Sequence, residues 1–385
     1  MKKVLIICLS DLEYDPRVRR QIDFLKNKYL ITTLGLRSPQ VENVNFYSIK
    51  YSTFNENKNP FILINKVFKL IVQKKYEEVF WKSIDINEEK ILELYDKRFD
   101  VIIANDISAM PIAMRIKNED TKVIFDAHEY YAEWYNDNWK WRTFIKKMIV
   151  YLCNKYIPMA DEMLCTSESM AEEYKKDYNF NPVVITNAPT YEKLSVSNVI
   201  SEKIRIIHHG GFKASRHIDI LVDMMKYLDE RFYLDLVVFM PSSDKNYVAK
   251  IKEKASKYKR INFIPPVPMP EISKSFNSYD IGIHTLLPVN LNHKITIPNK
   301  FFEYVQSRLM IVTPGKTEMA RLVNEYECGI TLDDFNAKSV AEILNSLTTK
   351  DIMKYKENSN KNARQLSNIY NQKVLLKTIS RIIDK

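Results

Sequence analysis

Short apolar runs alternate with stretches of helical periodicity along most of the chain. Residues 4–9 are continuously apolar, as in a strand buried on both faces of a parallel sheet. After Pro16, apolar side chains recur at helical spacing at Val18, Ile22 and Leu25. Further strands are predicted at 29–34, 43–49, 101–104, 122–126, 162–165 and 183–186. Helices are predicted between about 60 and 97 and between the later strands. The stretch 188–203 is polar, lacks a period and reads as a linker. Beyond it the alternation restarts, with strands at 204–208, 234–239, 261–263, 281–284, 310–313 and 329–332. Helices are expected at 216–229, 244–258, 298–307, 317–325 and 337–348, and the tail 350–385 reads as helical throughout. Such alternation implies right-handed βαβ crossovers and parallel sheets covered on both faces. The expected class is α/β, with two doubly wound domains facing a cleft and ligands at the carboxyl ends of the strands.

Composition agrees with two domains, because 385 residues exceed what one core usually serves. Glycine alters the functional picture. There are six in the chain, against about 27 expected from average usage of roughly 7%. No two are spaced G-x-G, which excludes a dinucleotide-binding G-x-G-x-x-G and a Walker loop. Phosphate would have to be held mostly without a glycine cradle. The net charge of +10 favours anionic partners. Nucleic acid is not expected, since no binding motif occurs and the basic residues are scattered. Cys8, Cys153, Cys165 and Cys328 form no C-x-x-C, which fits buried thiols in a reducing, cytoplasmic compartment. The first apolar run ends at Asp11, too short for a signal peptide, and no stretch approaches a membrane span.

Three segments carry candidate chemistry. All six histidines lie between 128 and 293, each at or just after a predicted strand. In KITIPNKFFEY (294–304), Pro298 suits the first helical position, and the helix start offers free N–H groups and a positive dipole end to an anion. Lys300 adds a cation where an isolated helix disfavours one, a local conflict typical of sites. Glu303, about one turn on, can accept hydrogen bonds from two ribose hydroxyls. In HHGGFKASRH (208–217), Gly210-Gly211 suggests close backbone approach, and Arg216 can clamp phosphate oxygens. FDAHE (125–129) closes a strand of the first domain.

Together these segments resemble the GT-B glycosyltransferases of the retaining, family-4-like group (glycosyl transferases group 1), from the first strand to the last helix. DPRV (15–18), Asp106 after VIIAN, FDAHE, ADEMLCT (160–166) and Asn187-Ala188-Pro189 follow in the family's order, then HHGG with Arg216, SYDIGIHTL and PNKFFEY. The resemblance implies two Rossmann-like domains. Residues 1–190 would form the acceptor-side domain and 203–365 the nucleotide-sugar domain, with a helix at 366–385 crossing back to the first. It implies His128, Arg216 and Lys300 as catalytic residues. Gly210, Gly211, Asn299, Glu303 and Glu318, with Arg216 and Lys300, would bind the donor. Asp15, Arg17, Asp106, Glu129, His284, Asn292 and His293 would line the acceptor side and cleft.

The implied reaction moves a sugar, with retention, from a nucleoside diphosphate to a glycan or lipid-linked acceptor in surface polysaccharide or glycoconjugate synthesis. Metal independence and the absence of a cofactor are expected, because no D-x-D occurs. Two departures from the family stand out. Ile295 occupies the place of the first glutamate of E-x7-E, and Gly211 that of an arginine. They leave open a non-catalytic sugar-nucleotide-binding protein, and the two-domain fold also admits a nucleotide-sugar epimerase. Trp134, Trp139 and Trp141 among basic residues up to Tyr156, and a similar segment at 61–81, suit an anionic membrane surface or helices covering a sheet. The expected location is cytoplasmic, including the inner face of the cell membrane.

Overall fold

The structure, a computed structural model, describes residues 1–51, 73–136 and 138–384. Residues 61–72, which carry most of the second aromatic–basic segment and the first of the helices expected after residue 60, lie outside the described residues. The chain divides into two compact units, Met1–Thr186 with Gln372–Lys385, and Asn187–Asn371.

The sheet of unit 1 comprises β1 (Lys3–Cys8), β2 (Leu30–Gly35), β3 (Asn45–Ser48), β4 (Val101–Asn105), β5 (Lys122–Ala127), β6 (Glu162–Cys165) and β7 (Val183–Val184). The strands are parallel, in the order 3-2-1-4-5-6-7. β1 is central, with Val4 opposite Ile31 on one side and Val101 on the other. Its continuous apolar run is what burial on both faces demands. The helix Pro16–Leu25 starts at Asp15, whose carboxylate accepts the N–H groups of Arg17 and Val18 at 3.1 Å. That helix packs Val18, Ile22 and Leu25 into a core shared with Leu375, Ile379 and Ile382 of the chain's last helix. A short antiparallel pair, Lys50–Tyr51 with Ile84–Asp85, has no counterpart in the sequence reading.

The sheet of unit 2 comprises β8 (Ile204–Gly210), β9 (Phe232–Val238), β10 (Ile261–Ile264), β11 (Ile281–Ile283), β12 (Met310–Pro314) and β13 (Gly329–Leu332). It too is parallel, in the order 10-9-8-11-12-13. In each sheet the order reverses beside the first strand, between β1 and β4 and between β8 and β11. Doubly wound sheets bind ligands beyond the carboxyl ends at such points.

Two expectations are corrected. The tail is two helices, Thr349–Asn362 and Asn368–Ile383. The break falls where the buried Gln306 donates to the carbonyls of Ala363, at 2.5 Å, and Leu366, at 3.1 Å. A side chain thus takes carbonyls that a continuous helix would use. The stretch 188–203 has no regular structure, yet it is fastened to unit 2. Ser197 donates to the Asn277 carbonyl at 2.7 Å, Arg308 donates to the Glu192 carbonyl at 2.5 Å, and Ala188 is buried in the core. The aromatic–basic stretch splits between the helices Trp139–Phe144 and Lys146–Tyr156. Trp141, Met148, Ile149, Leu152 and Tyr156 are buried, whereas Trp139 is 59% exposed. The four cysteines are free and buried. Among the described residues no helix is long and apolar enough to cross a membrane.

Candidate functional site

In unit 2, the polar side chains gather where β8 and β11 end. His208 and His209 close β8, and His284 follows β11. His208 Nδ1 lies 2.8 Å from the Ile283 carbonyl, which ties the two strand ends together. The helix Asn299–Gln306 begins at the same place. Pro298 occupies its N-cap rather than its first turn, and among the described residues no side chain caps it. The positive end of this helix is therefore left for an anion. Lys300 projects over Gly210, whose φ of +120° is a conformation that glycine adopts freely. A Cβ at Gly210 would lie 2.9 Å from Lys300 Nζ. Gly210→Ala is accordingly expected to lose about 1–3 kcal/mol of stability through backbone strain, measured by denaturant unfolding. An unchanged midpoint would contradict this reading of the turn.

Electrostatics single out the same group. Burial, then Arg216, lower the Lys300 ammonium to about 8, with Glu303 opposing. Burial, then Lys300, hold His208 and His284 well below the ordinary imidazole range, so both are neutral at pH 7. Glu303 Oε2 lies 3.1 Å from His209 Nε2. Arg216 ends the short turn Ala214–Arg216, and its carbonyl accepts the Thr285 hydroxyl at 2.5 Å. Asn299 is the first residue of the Lys300 helix and half-buried.

In unit 1, a second polar cluster lies where β1, β4 and β5 end. Asp106 follows β4 with φ +69°, an unusual conformation for a residue bearing a side chain. Its Oδ1 accepts the Tyr131 hydroxyl and lies 3.3 Å from His128 Nδ1. His128 Nε2 lies 3.1 Å from Asn105 Oδ1. Burial raises the Asp106 carboxyl to about 6, with His128 opposing and Asp15 and Asp126 adding. For Asp15, burial acts upward, but His128, the Ser10 hydroxyl and the backbone N–H groups of Val18 and Arg17 outweigh it and lower the carboxyl. Glu129 is half-buried beside this group, and its carbonyl accepts the Tyr174 hydroxyl at 2.8 Å.

Several expected site residues have other duties. Arg17, expected on the acceptor side, is 5% exposed and grips Asp126 through Nε at 2.7 Å and a terminal nitrogen at 2.5 Å. It is part of the core. Glu318, expected to touch the donor, is buried and bound by Arg321 at 2.8 and 3.1 Å. Gly211 answers a packing need, since a Cβ there would lie 2.5 Å from the Ser242 carbonyl oxygen. Its close approach is to the chain itself. Asn292 is buried, and His293 Nδ1 meets the Leu287 carbonyl at 3.0 Å within the short helix Leu291–Ile295. Asn105, Gln21 and Tyr131 belong to the site without a sequence motif to mark them. The available signal was polar residues on otherwise apolar elements. Asn105 ends an apolar strand, and Gln21 lies one turn after Arg17 on a helix face that packs inward.

Residues 38–189 match the family model for Glycosyltransferase Family 4. No curated protein matches the sequence. Among solved structures, Alr3699/HepE from Anabaena, in complex with UDP and glucose, is similar over 99% of this chain and 100% of that chain, at 12% identity and a TM-score of 0.70. A glycosyltransferase from Rickettsia africae is similar over 99% and 98%, at 13% identity and a TM-score of 0.66. WaaG, a glycosyltransferase involved in lipopolysaccharide biosynthesis, is similar over 96% and 98%, at 11% identity and a TM-score of 0.60. At these identities the likeness shows the fold, that of the GT-B glycosyltransferases with two Rossmann-like domains.

Proposed function

We propose that this chain, which has the GT-B fold and matches the Glycosyltransferase Family 4 model over residues 38–189, is a glycosyltransferase that transfers a sugar from a nucleoside diphosphate to a glycan or lipid-linked acceptor. The observation that carries the donor half is Lys300, set over Gly210 at a helix start that no described side chain caps, its ammonium lowered by burial and then by Arg216. Two cations held close at a helix N-terminus suit a diphosphate. Glu303, whose Oε2 lies 3.1 Å from His209 Nε2, would take the ribose hydroxyls.

The chemistry follows from these groups. As the sugar–phosphate bond breaks, negative charge grows on the leaving diphosphate, and Lys300, Arg216 and the helix amides stabilise it there. The site then needs no metal to neutralise that charge, and metal independence is part of the proposal. So is retention, with the leaving phosphate taking the acceptor's proton. His128 is proposed to orient the donor sugar. The acceptor reading, and the synthesis of surface polysaccharide or glycoconjugate on an anionic membrane face, draws on Trp139, which is exposed beside Lys140.

Titration tests the donor site. Lys300 is cationic below about 8 and neutral above it. An anionic ligand favours the cation, so donor affinity is high below that value and falls by up to about tenfold per pH unit above it. Calorimetric binding of the preferred nucleotide sugar between pH 7 and 9.5 should show the decline, and Lys300→Met should remove it. A flat profile in the parent protein would refute the role of Lys300.

A further inference from the structure

We propose that His284 reads the transferred sugar, one ring nitrogen donating to a sugar hydroxyl and the other accepting from one. The inference rests on the donor reading above and adds a residue to it. His284 stands where the strand order of unit 2 reverses, and its backbone N–H is fixed to the Val312 carbonyl at 2.8 Å. The residue is 3% exposed, and among the described residues neither Nδ1 nor Nε2 has a hydrogen-bond partner. Buried polar atoms are nearly always paired, because an unpaired one forfeits its hydration without return. The neighbouring His208 shows the ordinary arrangement, with Nδ1 on a carbonyl. Two unpaired nitrogens on one buried ring, inside a cluster that includes Lys300 and Arg216, point to a ligand as the missing partner.

The chemistry of the ring identifies the part of the ligand. Burial, Lys300, His208, Arg216 and His209 all disfavour the imidazolium. A neutral imidazole has one donor and one acceptor. A phosphate oxygen uses donors only, and Lys300 and Arg216 already provide cationic ones. A hydroxyl both donates and accepts, and of the two hydroxyl-bearing groups that flank the diphosphate in the donor, the ribose is assigned to Glu303, which leaves the sugar for His284.

The test compares matched ligands. UDP-, GDP- and ADP-sugars are screened by thermal shift, and the best is paired with its own nucleoside diphosphate for calorimetry. His284→Leu should weaken the nucleotide sugar tenfold or more and leave the nucleoside diphosphate within about twofold. His284→Gln, which keeps one donor and one acceptor, should recover part of the loss. Ligand-free His284→Leu should melt no lower than the parent, since it removes unpaired buried atoms. Equal weakening of both ligands, or of neither, would overturn the role of His284 while leaving the donor site in place. A destabilised His284→Leu with His284→Gln binding the sugar nucleotide no better would also overturn it. If no nucleotide sugar stabilises the parent protein, the donor reading itself fails.

Discussion

Replacing Lys300 or Arg216 with alanine is expected to lower sugar transfer by on the order of 10²–10³-fold, with the protein still folded. The size of the effect follows from where charge appears. In the proposed reaction both groups would face a leaving diphosphate whose charge grows as the sugar–phosphate bond breaks, and a preorganised cation in a partly dehydrated site is worth several kcal/mol to that transition state. Stability should move little. The Lys300 ammonium is disfavoured by burial and by Arg216, so its removal relieves a cost. For Arg216, the backbone carbonyl that accepts the Thr285 hydroxyl survives the substitution. Steady-state kinetics with circular dichroism as the folding control separates the two effects. Near-parent turnover in both variants would displace the site from this part of unit 2.

The second large effect concerns the fold. Arg17→Met is expected to destabilise unit 1 by about 3–5 kcal/mol, because it leaves a buried carboxylate without its cation. Asp126 is fully buried, held on both oxygens by Arg17, with Gln21 adding a contact at 2.5 Å and the Ile185 carbonyl receiving Arg17 at 2.7 Å. Changing both members together, Arg17→Met with Asp126→Leu, should cost less than Arg17→Met alone, since no buried charge is then left unpaired. Urea unfolding followed by hydrogen exchange in unit 1 reads both. A loss below about 1 kcal/mol for Arg17→Met would mean that solvent reaches Asp126 and that the pair is not part of the core.

The sheets were legible in the sequence because parallel strands buried on both faces read as continuous apolar runs. β6 and β13 have the bounds the pattern gives, and the other strands differ by a few residues at their ends. Pairing across long sequence separations was not legible. Helical spacing places Arg17 and Gln21 one turn apart, but nothing local says that their partner is Asp126, 109 residues from Arg17. The interruption of the tail at 363–367 has no proline or glycine to announce it, and its cause is the side chain of Gln306, 57 residues earlier than Ala363. In the candidate site, the strand-end position of the histidines and the conflict of Lys300 with its helix start were both visible. The roles within it were not. Glu318 reads as a ligand in the sequence but is occupied by Arg321, and His284 reads as any strand-end histidine but its ring lacks partners among the described residues. The scarcity of glycine had pointed away from a glycine cradle, and in the structure Gly210 lies beneath a lysine while Gly211 packs on Ser242.

The most direct measurement is a thermal-shift titration of the parent protein and the Arg216→Ala/Lys300→Ala double variant against UDP-, GDP- and ADP-sugars. A ligand bound only by the folded state raises its melting temperature, by about 2.7 kcal/mol of stabilisation at a hundred times its dissociation constant. The predicted result is that one nucleotide-sugar class raises the midpoint of the parent and leaves the double variant unmoved. Equal shifts in the two proteins, or no shift with any nucleotide sugar at millimolar concentration, would contradict a donor site built on Lys300 and Arg216.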